Sequence, residues 1–502
     1  MKGPDIILSI LLGALLPAGG CSTDPHILPE IVLMDKIKGG WAGQTIGCAY
    51  GGPTEFKYFG MIPPEVGLAW TGTEVGWYFT EAPGMYDDLY MDLTFLEVLH
   101  REGLDAPAAS LAEAFARKEY PLWHANQAAR RNILDGLLPP ETGAWRNNPH
   151  ADDIDFQIES DFIGLVSPGL PRSAAALCDR VGHIMNAGDG WYGGVYTATM
   201  VSLAFMEDDP AKVVRKAATA IPKGSRFRAA MDDVLDEWHH HPSDWTAAWE
   251  RVTRSYGDDT GCPSGVLKPY DIDAVLNSAY VTIGLLYGGG DFGKSLEIAT
   301  RCGQDSDCNP STVGSILGVM LGWDALPDVW KQPVEPWWNQ PFAYVGTSLE
   351  AACAMTLDLA KASVVAAGGR IRDDGALVFK PQSSAPQRLE QNFNGLHPTG
   401  RFPVSRPLAF LDSLSFEGEG IVVRYRFQQD GPAPDGYAAS VQVALDGAAP
   451  ATVLLPLDFN GRRLELFADY DLPEGDHLLR LDWVNPVEGL TLETDCYITY
   501  SR

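Results

Sequence analysis

Apolar residues recur at helical spacing through most of the chain. Between residues 272 and 287 they stand at i, i+3, i+4 and i+7, and the pattern stops at glycines 288–290. This spacing predicts an amphipathic helix that ends at the glycines. Comparable patterns predict helices over residues 89–101, 107–118, 122–137, 173–186, 193–207, 209–220, 226–239, 244–255 and 291–302. We therefore predict an all-α domain over residues 31–365.

Two segments of this domain are expected to lie at its centre. Residues 311–322 are apolar on almost every side, which is typical of a buried helix. We expect Asn309 to cap this helix and Pro310 to occupy its first position. The second segment surrounds Trp41 with glycines at 39, 40, 43 and 47. Because each interior glycine weakens a helix, this density predicts close packing of backbones.

From about residue 370 the pattern changes to short runs of β-branched and aromatic residues separated by turn sequences. Such runs predict strands, and their regular spacing predicts an antiparallel β-sandwich over residues 370–502. The runs lie at 376–379, 421–427, 439–445, 451–455, 463–467, 477–483 and 490–494.

The N-terminus is typical of an export signal. Lys2 precedes an apolar stretch, residues 6–16, that is too short to cross a bilayer. Small residues then lead to Cys21, as at the cleavage site of a bacterial lipoprotein. We predict a signal over residues 1–21 and a tether over 22–30, with ordinary signal cleavage nearby as the alternative. The expected location is the bacterial cell envelope, periplasmic or at the cell surface, with membrane attachment only through the lipid.

The charge balance excludes some partners. With 66 acidic and 37 basic residues the formal net charge is −29, which disfavours nucleic acid and anionic membrane surfaces. The eight cysteines contain no Cys-x-x-Cys pair and no zinc-binding pattern, so we interpret most of them as small buried residues.

Four acidic features are candidates for chemistry. They are the adjacent pair Asp87 and Asp88, the pair Asp305 and Asp307, Glu55 after the glycine-rich segment, and Asp189. Clusters of carboxylates favour a hard cation, Mg²⁺ or alternatively Mn²⁺ or Ca²⁺, over zinc. Acidic residues ahead of a helix also serve as caps, which is the structural alternative for each pair.

Three motifs together resemble the ADP-ribosylglycohydrolase family. Residues 37–55 read IKGGWAGQTIGCAYGGPTE and resemble the family's glycine-rich opening helix that ends in Pro-x-Glu. Residues 86–88, YDD, resemble its Thr-Asp-Asp motif, and residues 303–308, GQDSDC, resemble its Gly-Gly-Asp-x-Asp-Thr motif. The motifs occur in the family order, and the resemblance spans residues 33–325.

The resemblance implies an all-α fold with two Mg²⁺ ions in a central cleft. It implies that Asp87, Asp88, Asp305 and Asp307 hold metal and that Glu55 acts beside the scissile bond. This chain departs from the family pattern at Tyr86, Cys48 and Cys308, where the family has Ser or Thr, Asp, and Thr. A thiol is a poor ligand for Mg²⁺, so we expect one or two ions.

Further residues are candidates for substrate binding: Tyr86, Asp92, Glu159, Asp161, Asp189 and Cys308. Asp92 follows Asp88 by one helical turn, with a plain surface acid as the alternative. Glu159 and Asp161 lie where the family places a segment close to the substrate, with an exposed acidic turn as the alternative. We expect His239, His240 and His241 to be a solvated helix end rather than a metal cluster.

These observations give three functional hypotheses. The first is a Mg²⁺-dependent ADP-ribosylglycohydrolase-like enzyme that cleaves an N- or O-glycosidic bond at an anomeric carbon. The second is an extracellular glycoside hydrolase that acts on glycans with the same scaffold. The third is an inactive carbohydrate- or nucleotide-binding lipoprotein. The expected partner is a small-molecule, glycan or ADP-ribosyl substrate.

Overall fold

The computed structural model describes residues 25–257 and 261–502. The predicted signal over residues 1–21 lies outside the described residues. Among those that are described, no helix is both long enough and apolar enough to span a bilayer.

The first part of the chain is helical, as the periodicity predicts. Its helices are α1 (Glu30–Gly51), α2 (Thr73–Thr80), α3 (Asp87–Glu102), α4 (Ala108–Arg117), α5 (His124–Leu134), α6 (Asp155–Ile158), α7 (Asp161–Leu165), α8 (Pro171–Gly182), α9 (Gly188–Ala204), α10 (Pro210–Ala218), α11 (Arg226–His240), α12 (Trp245–Tyr256), α13 (Ala274–Gly288), α14 (Phe292–Arg301), α15 (Cys308–Leu321), α16 (Asp328–Lys331) and α17 (Leu349–Ala366).

Helices α1 and α15 cross at the centre of this domain along a line of glycines. A Cβ atom added to Gly43 would lie 2.0 Å from the carbonyl oxygen of Gly314, and one added to Gly39 would lie 2.1 Å from that of Gly318. At Gly47 the corresponding distance, to the oxygen of Pro310, is 2.0 Å. The backbones therefore touch, which confirms the close packing predicted from the glycines.

Helix α15 begins at Cys308, so the prediction that Asn309 caps it is wrong. Asp307 occupies the capping position and makes no side-chain cap hydrogen bond. The amide of Asn309 instead donates to the Asn277 side chain at 2.8 Å. Asn309 thus ties α15 to α13.

A small antiparallel sheet joins the ends of the helical domain. Its strands, in the order β1–β3–β2, are β1 (His26–Leu28), β2 (Arg370–Ile371) and β3 (Leu377–Phe379). Residues 26–28 were predicted to be part of a tether, but they pair with β3. Likewise, residues 377–379 were predicted to belong to the sandwich, but the side chains of Leu377 and Phe379 pack in the helical core.

The remaining strands form two antiparallel four-stranded sheets, as predicted for the C-terminal region. Their orders are β5–β10–β7–β8 and β4–β11–β6–β9. Apolar residues of both sheets share one core, for example Val441 and Leu481 with Val423 and Leu492. The strands are β4 (His397–Pro407), β5 (Ser413–Glu417), β6 (Gly420–Gln429), β7 (Ala438–Leu445), β8 (Ala451–Pro456), β9 (Glu465–Asp469), β10 (Asp476–Trp483) and β11 (Leu490–Ser501).

The two domains share an aromatic contact. Trp145 of the helical domain packs against Phe393 and Tyr470, with ring centroids 5.2 Å and 5.5 Å away. Beside it, Arg146 forms a salt bridge of 2.7 Å with Asp471. The loop after α5 is therefore fixed against the end of strand β9.

Candidate active site

The central glycine line positions Glu55. Helix α1 ends at Gly51, where an added Cβ atom would lie 1.9 Å from the carbonyl oxygen of Ser306. The hydroxyl of Thr54 lies 3.0 Å from that of Ser306. Only a glycine allows the two backbones to come this close, and Glu55 therefore lies directly beside residues 305–307.

A strained turn presents Asp305 and Asp307. Gly303 has a φ of +78°, and an added Cβ atom there would lie 2.0 Å from the carbonyl oxygen of Gly60. Gln304 also has a positive φ, 57°, and its backbone N–H donates to Tyr58 at 3.0 Å. Positive φ is unfavourable for a non-glycine residue, so tertiary contacts hold this turn in place.

The third acidic segment is the first turn of α3, which carries Asp87 and Asp88. Tyr86 precedes them and does not reach the site. Its ring packs against Phe79 and Phe342, and its hydroxyl donates to the carbonyl oxygen of Val75 at 3.4 Å. The structure therefore does not support the prediction of Tyr86 as a substrate-binding residue, because the aromatic core takes up its side chain.

These elements bring together five carboxylates, which we call the acidic site: Glu55, Asp87, Asp88, Asp305 and Asp307. The Cys308 thiol lies among them and donates to Asp88 Oδ1 at 3.0 Å. The ligand atoms of Asp87, Asp88 and Cys308 lie within 4.8 Å of one another, and so do those of Asp305, Asp307 and Cys308. Cys308 thus belongs to both groups.

A second thiol lies beside the acidic site. Cys48 Sγ donates to the carbonyl oxygen of Met85 at 3.0 Å and lies 4.0 Å from Asp307 Oδ2. Both cysteines that stand where the family pattern has Asp or Thr are therefore at or next to the carboxylates.

The carboxyl groups of the acidic site are difficult to ionise unless a cation is bound. Burial raises the pKa of Asp87 to about 7, and burial together with neighbouring carboxylates raises the pKa of Glu55, Asp88 and Asp305. Within the described ranges, none of the five carboxylates forms a salt bridge with a basic side chain. Isolated carboxylates with this degree of burial are unfavourable unless a cation is present.

Several oxygens of the acidic site are buried without a hydrogen-bond partner in the part of the chain that is described. They are Glu55 Oε2, Asp88 Oδ2 and Asp307 Oδ1. Free carboxylate oxygens that converge on one place suit a hard divalent cation such as Mg²⁺. The residues present therefore fit the metal that the family resemblance implies.

A cavity of about 210 Å³ opens onto this site. Glu55, Asp87 and Asp305 form its acidic side, and Asp155 and Asp271 add to the acidic lining. Its apolar wall consists of Phe56, Met85, Met91, Leu122, Trp123, Ile154, Ile158 and Ile272. Among the described residues, no lysine or arginine lines the cavity. Such a cavity can hold one sugar ring between carboxylates and apolar surface.

Three of the candidate substrate-binding residues are buried behind the cavity. Asp92 is 0% exposed and accepts a hydrogen bond from Gln44 at 3.0 Å. Asp161 is also 0% exposed, and burial raises its pKa to about 7. Glu159 accepts a hydrogen bond from Asn126. All three are enclosed, so the alternatives of a surface acid and an exposed turn are wrong, and the three side chains do not line the cavity.

Asp189 lies elsewhere, so its prediction as a substrate-binding residue of this site is not supported. It lies in the first turn of α9, where its backbone N–H donates to Asp152 at 3.0 Å. Its carboxylate lies 3.6 Å from the Arg226 guanidinium. The buried helix that contains Asp189 starts beside Arg226, at a different cavity from that of the acidic site.

Sequence reasoning missed cavity residues that follow no motif. Asn126 and Asp155 line the cavity, and the Asp155 side chain accepts a hydrogen bond from the Asn126 backbone at 3.0 Å. Asn277 accepts a hydrogen bond from the backbone of Asp305 at 3.4 Å. In the sequence, Asp155 is one of several acidic residues between positions 152 and 161, and no motif distinguishes it from the others.

The prediction that His239, His240 and His241 form a solvated helix end is confirmed. His183, by contrast, is a packed side chain that is 7% exposed and lies 2.8 Å from the carbonyl oxygen of Asp179. His239, His240 and His241 are exposed at the end of α11.

The chain is similar to known proteins at the level of a protein family. A solved structure described as "ADP-ribosylglycohydrolase-related protein complex" matches with a TM-score of 0.42 and 17% identity, over 66% of this chain and 99% of that chain. No curated protein matches the chain. The family model described as ADP-ribosylglycohydrolase matches residues 29–366, which include all three motifs and the acidic site. Because this match covers well over half of the residues, the chain belongs to the ADP-ribosylglycohydrolase family.

Proposed function

We propose that this protein hydrolyses an N- or O-glycosidic bond at an anomeric carbon, with ADP-ribosyl groups as the first substrate class. Family membership indicates a glycosidic-bond hydrolase. The observation that carries the proposal is the acidic site, where carboxylate oxygens without a hydrogen-bond partner among the described residues lie beside a ring-sized cavity.

Asp87, Asp88, Asp305 and Asp307 would hold Mg²⁺, with Mn²⁺ or Ca²⁺ as alternatives. A cation there supplies charge that polarises water and binds vicinal hydroxyls of a sugar. Tyr86 is directed away and Cys308 offers sulfur, so the oxygen ligands of this chain favour one ion over two.

Glu55 is the acid/base of the proposed reaction. It lines the cavity beside Asp305, and its Oε2 atom has no hydrogen-bond partner among the described residues. A carboxyl group in that position can exchange a proton with the leaving group or with water. The apolar wall, with Trp123 at 40% exposure, excludes water from one side and offers a face for stacking.

One observation favours a second candidate, hydrolysis of a glycan. The cavity lining has no lysine or arginine among the described residues, although a pyrophosphate usually binds to these side chains. A neutral sugar can bind without lysine or arginine. In that case two carboxylates of the lining act as a pair on the sugar.

The experiment compares release of ADP-ribose from N- and O-linked ADP-ribosyl substrates with release of sugar from oligosaccharides, with and without Mg²⁺. Glu55→Gln is expected to lower kcat at least about 100-fold on the true substrate. Glu65→Gln, at an exposed position, is the matched control and is expected to keep full activity. Binding without turnover on every substrate would contradict both candidates and support an inactive binding protein.

We also propose that the protein is exported and anchored by lipid at Cys21, which lies outside the described residues. Changing Cys21→Ser is expected to move the protein from the membrane fraction to the soluble fraction. Unchanged membrane association would contradict the anchor.

A further inference from the structure

A second group of side chains of the types that bind metals lies near the cavity, and one of its members, His124, lines the cavity. We call it the His–Cys cluster: His124, His150, Asp153 and Cys262. Their ligand atoms all lie within 4.8 Å of one another. No sequence motif contains this group, because its members come from three separate segments of the chain.

Two of the four distances in the cluster fall in the range expected around one tetrahedral metal ion, and the other two are shorter by at most about 0.3 Å. Asp153 Oδ2 lies 3.0 Å from His150 Nδ1 and 3.5 Å from His124 Nδ1. Cys262 Sγ lies 3.2 Å from His150 Nδ1 and 3.4 Å from Asp153 Oδ2. Zinc–ligand bonds of about 2.0–2.3 Å in a tetrahedron place neighbouring ligand atoms about 3.3–3.7 Å apart.

The outer atoms of the cluster have partners, while the inner atoms face each other. His150 Nε2 lies 2.9 Å from Glu465 Oε1 on strand β9. With a metal ion bound at Nδ1, the hydrogen bond to that carboxylate would keep the remaining proton on Nε2, and the Nδ1 lone pair would face Asp153 and Cys262. The other oxygen of Asp153, Oδ1, accepts a hydrogen bond from the Tyr270 hydroxyl. Carboxylate partners of this kind are typical of metal-binding histidines.

His124 completes the set. Its Nδ1 atom is buried and has no hydrogen-bond partner in the described part of the chain. The residue has a φ of 44°, an unfavourable value outside glycine, at the first position of α5. A buried lone pair without a donor, next to Asp153, is explained by a cation between the two side chains.

A cysteine next to a histidine and an acid can also form a nucleophilic centre, but the burial here disfavours it. Cys262 is 1% exposed, and His150 and Asp153 are 0% exposed. A nucleophile must reach its substrate, whereas a structural metal ligand is normally enclosed.

We propose that the His–Cys cluster is a structural zinc site. Zinc is favoured over Mg²⁺ because imidazole and thiolate ligands are softer than carboxylates. On binding, the Cys262 thiol releases its proton to solvent and the thiolate coordinates the metal.

The site would fix one wall of the catalytic cavity. His124 begins α5, and Trp123 and Asn126, on either side of it, also line the cavity. Through Glu465, the same site fastens the β-sandwich to the helical domain. The zinc ion therefore stabilises the domain junction and the cavity wall without taking part in the reaction.

The test measures metal content and spectra of the full protein. After expression with zinc and removal of loose metal, elemental analysis is expected to find about one zinc per chain. Exchange for Co²⁺ is expected to produce a sulfur-to-cobalt charge-transfer band and intense visible bands of tetrahedral cobalt. Cys262→Ser is expected to abolish the charge-transfer band, and His124→Ala to lower zinc retention at least about tenfold.

The matched control is Cys308→Ser, because that thiol lies among the carboxylates of the acidic site. This variant is expected to keep the cobalt band. Absence of retained zinc and of any cobalt band would overturn the proposal, as would loss of the band in Cys308→Ser but not in Cys262→Ser. His124 is half-buried, so its variant provides the test if Cys262→Ser does not fold.

Discussion

The acidic site and the His–Cys cluster both reach one cavity, the cluster through His124, but they offer different chemistry. The acidic site presents carboxylate oxygens around one thiol, and several oxygens lack partners in the described residues. The His–Cys cluster presents two imidazoles, one carboxylate and one thiol, with outer partners at Glu465 and Tyr270. The first set suits an exchangeable hard cation near the substrate, and the second suits a retained zinc ion.

The largest expected effect comes from removing charge at the acidic site. Changing Asp305→Asn together with Asp307→Asn is expected to lower kcat/KM at least about 100-fold, because the site loses two charged oxygen ligands. The rise in Tm on addition of Mg²⁺ is expected to disappear. In the metal-free state the variant is expected to be more stable than the wild type by about 1–2 kcal/mol, since like charges no longer repel.

Calorimetric melting with Mg²⁺ and with chelator measures both effects. The zinc content of this double variant is expected to equal that of the wild type. Unchanged turnover and an unchanged Mg²⁺-dependent Tm would contradict the role of the acidic site.

The next effect tests whether the glycine line positions Glu55. In Gly43→Ala, the new methyl group would lie 2.0 Å from the carbonyl oxygen of Gly314, so α1 and α15 must separate. We expect a loss of about 3 kcal/mol in the free energy of unfolding and a clear fall in kcat, because Glu55 moves away from Asp305. Chemical denaturation and steady-state kinetics measure the two changes.

The matched control is Gly67→Ala, because an added Cβ atom there meets nothing within 4 Å. It is expected to change neither property. Equal behaviour of the two variants would show that close contact of the helices is not needed for the site.

The two sites also differ in how far the sequence predicts them. Glu55, Asp87 and Asp305 lie in ordered motifs, and the glycines nearby already indicated the close packing that brings the segments together. No local pattern connects Cys262 with His150, because 112 residues separate them. Only the fold makes them neighbours, so a search by spacing does not find this site.

The sequence also does not predict the direction in which individual side chains point. Tyr86 and Asp87 are adjacent, yet the tyrosine enters an aromatic core formed with Phe342 from a distant segment. Asp189 precedes an apolar run just as Asp87 does, but the start of its helix faces Arg226. The helical periodicity predicted the elements, whereas the side of the domain that each element faces depends on long-range packing.

A smaller effect is expected from pH, and its sign follows from the raised pKa of Asp87. Its folded value is about 7 against an ordinary 3.8, so between these values the folded chain keeps a proton that the unfolded chain has lost. The metal-free protein is therefore most stable below about pH 4 with respect to this group, and that contribution is lost as pH rises through about 7.

Mg²⁺ competes with the proton for the same oxygens. The increase in Tm on adding Mg²⁺ is expected to be roughly twice as large at about pH 8 as at about pH 5.5. Asp161→Asn serves as the control, because burial also raises the pKa of Asp161 to about 7 but the residue does not line the cavity. It is expected to weaken the pH dependence of the metal-free protein and to leave the Mg²⁺ increment unchanged. An increment that grows toward low pH would contradict the acidic site as the place of binding.

The smallest expected effect concerns Cys308, the thiol that makes the acidic site partly resemble the His–Cys cluster. Its Sγ atom lies 3.0 Å from Asp88 Oδ1, so the oxygen of a threonine side chain in this position can reach the same place. Because Mg²⁺ prefers oxygen to sulfur, Cys308→Thr is expected to tighten Mg²⁺ binding about two- to tenfold, measured by titration calorimetry. Cys308→Val has the shape of threonine without the hydroxyl and is expected to give no gain. If Cys308→Val tightened Mg²⁺ binding as much as Cys308→Thr, packing and not ligand chemistry would explain the change. The difference between a hard and a soft metal site would then not depend on this residue.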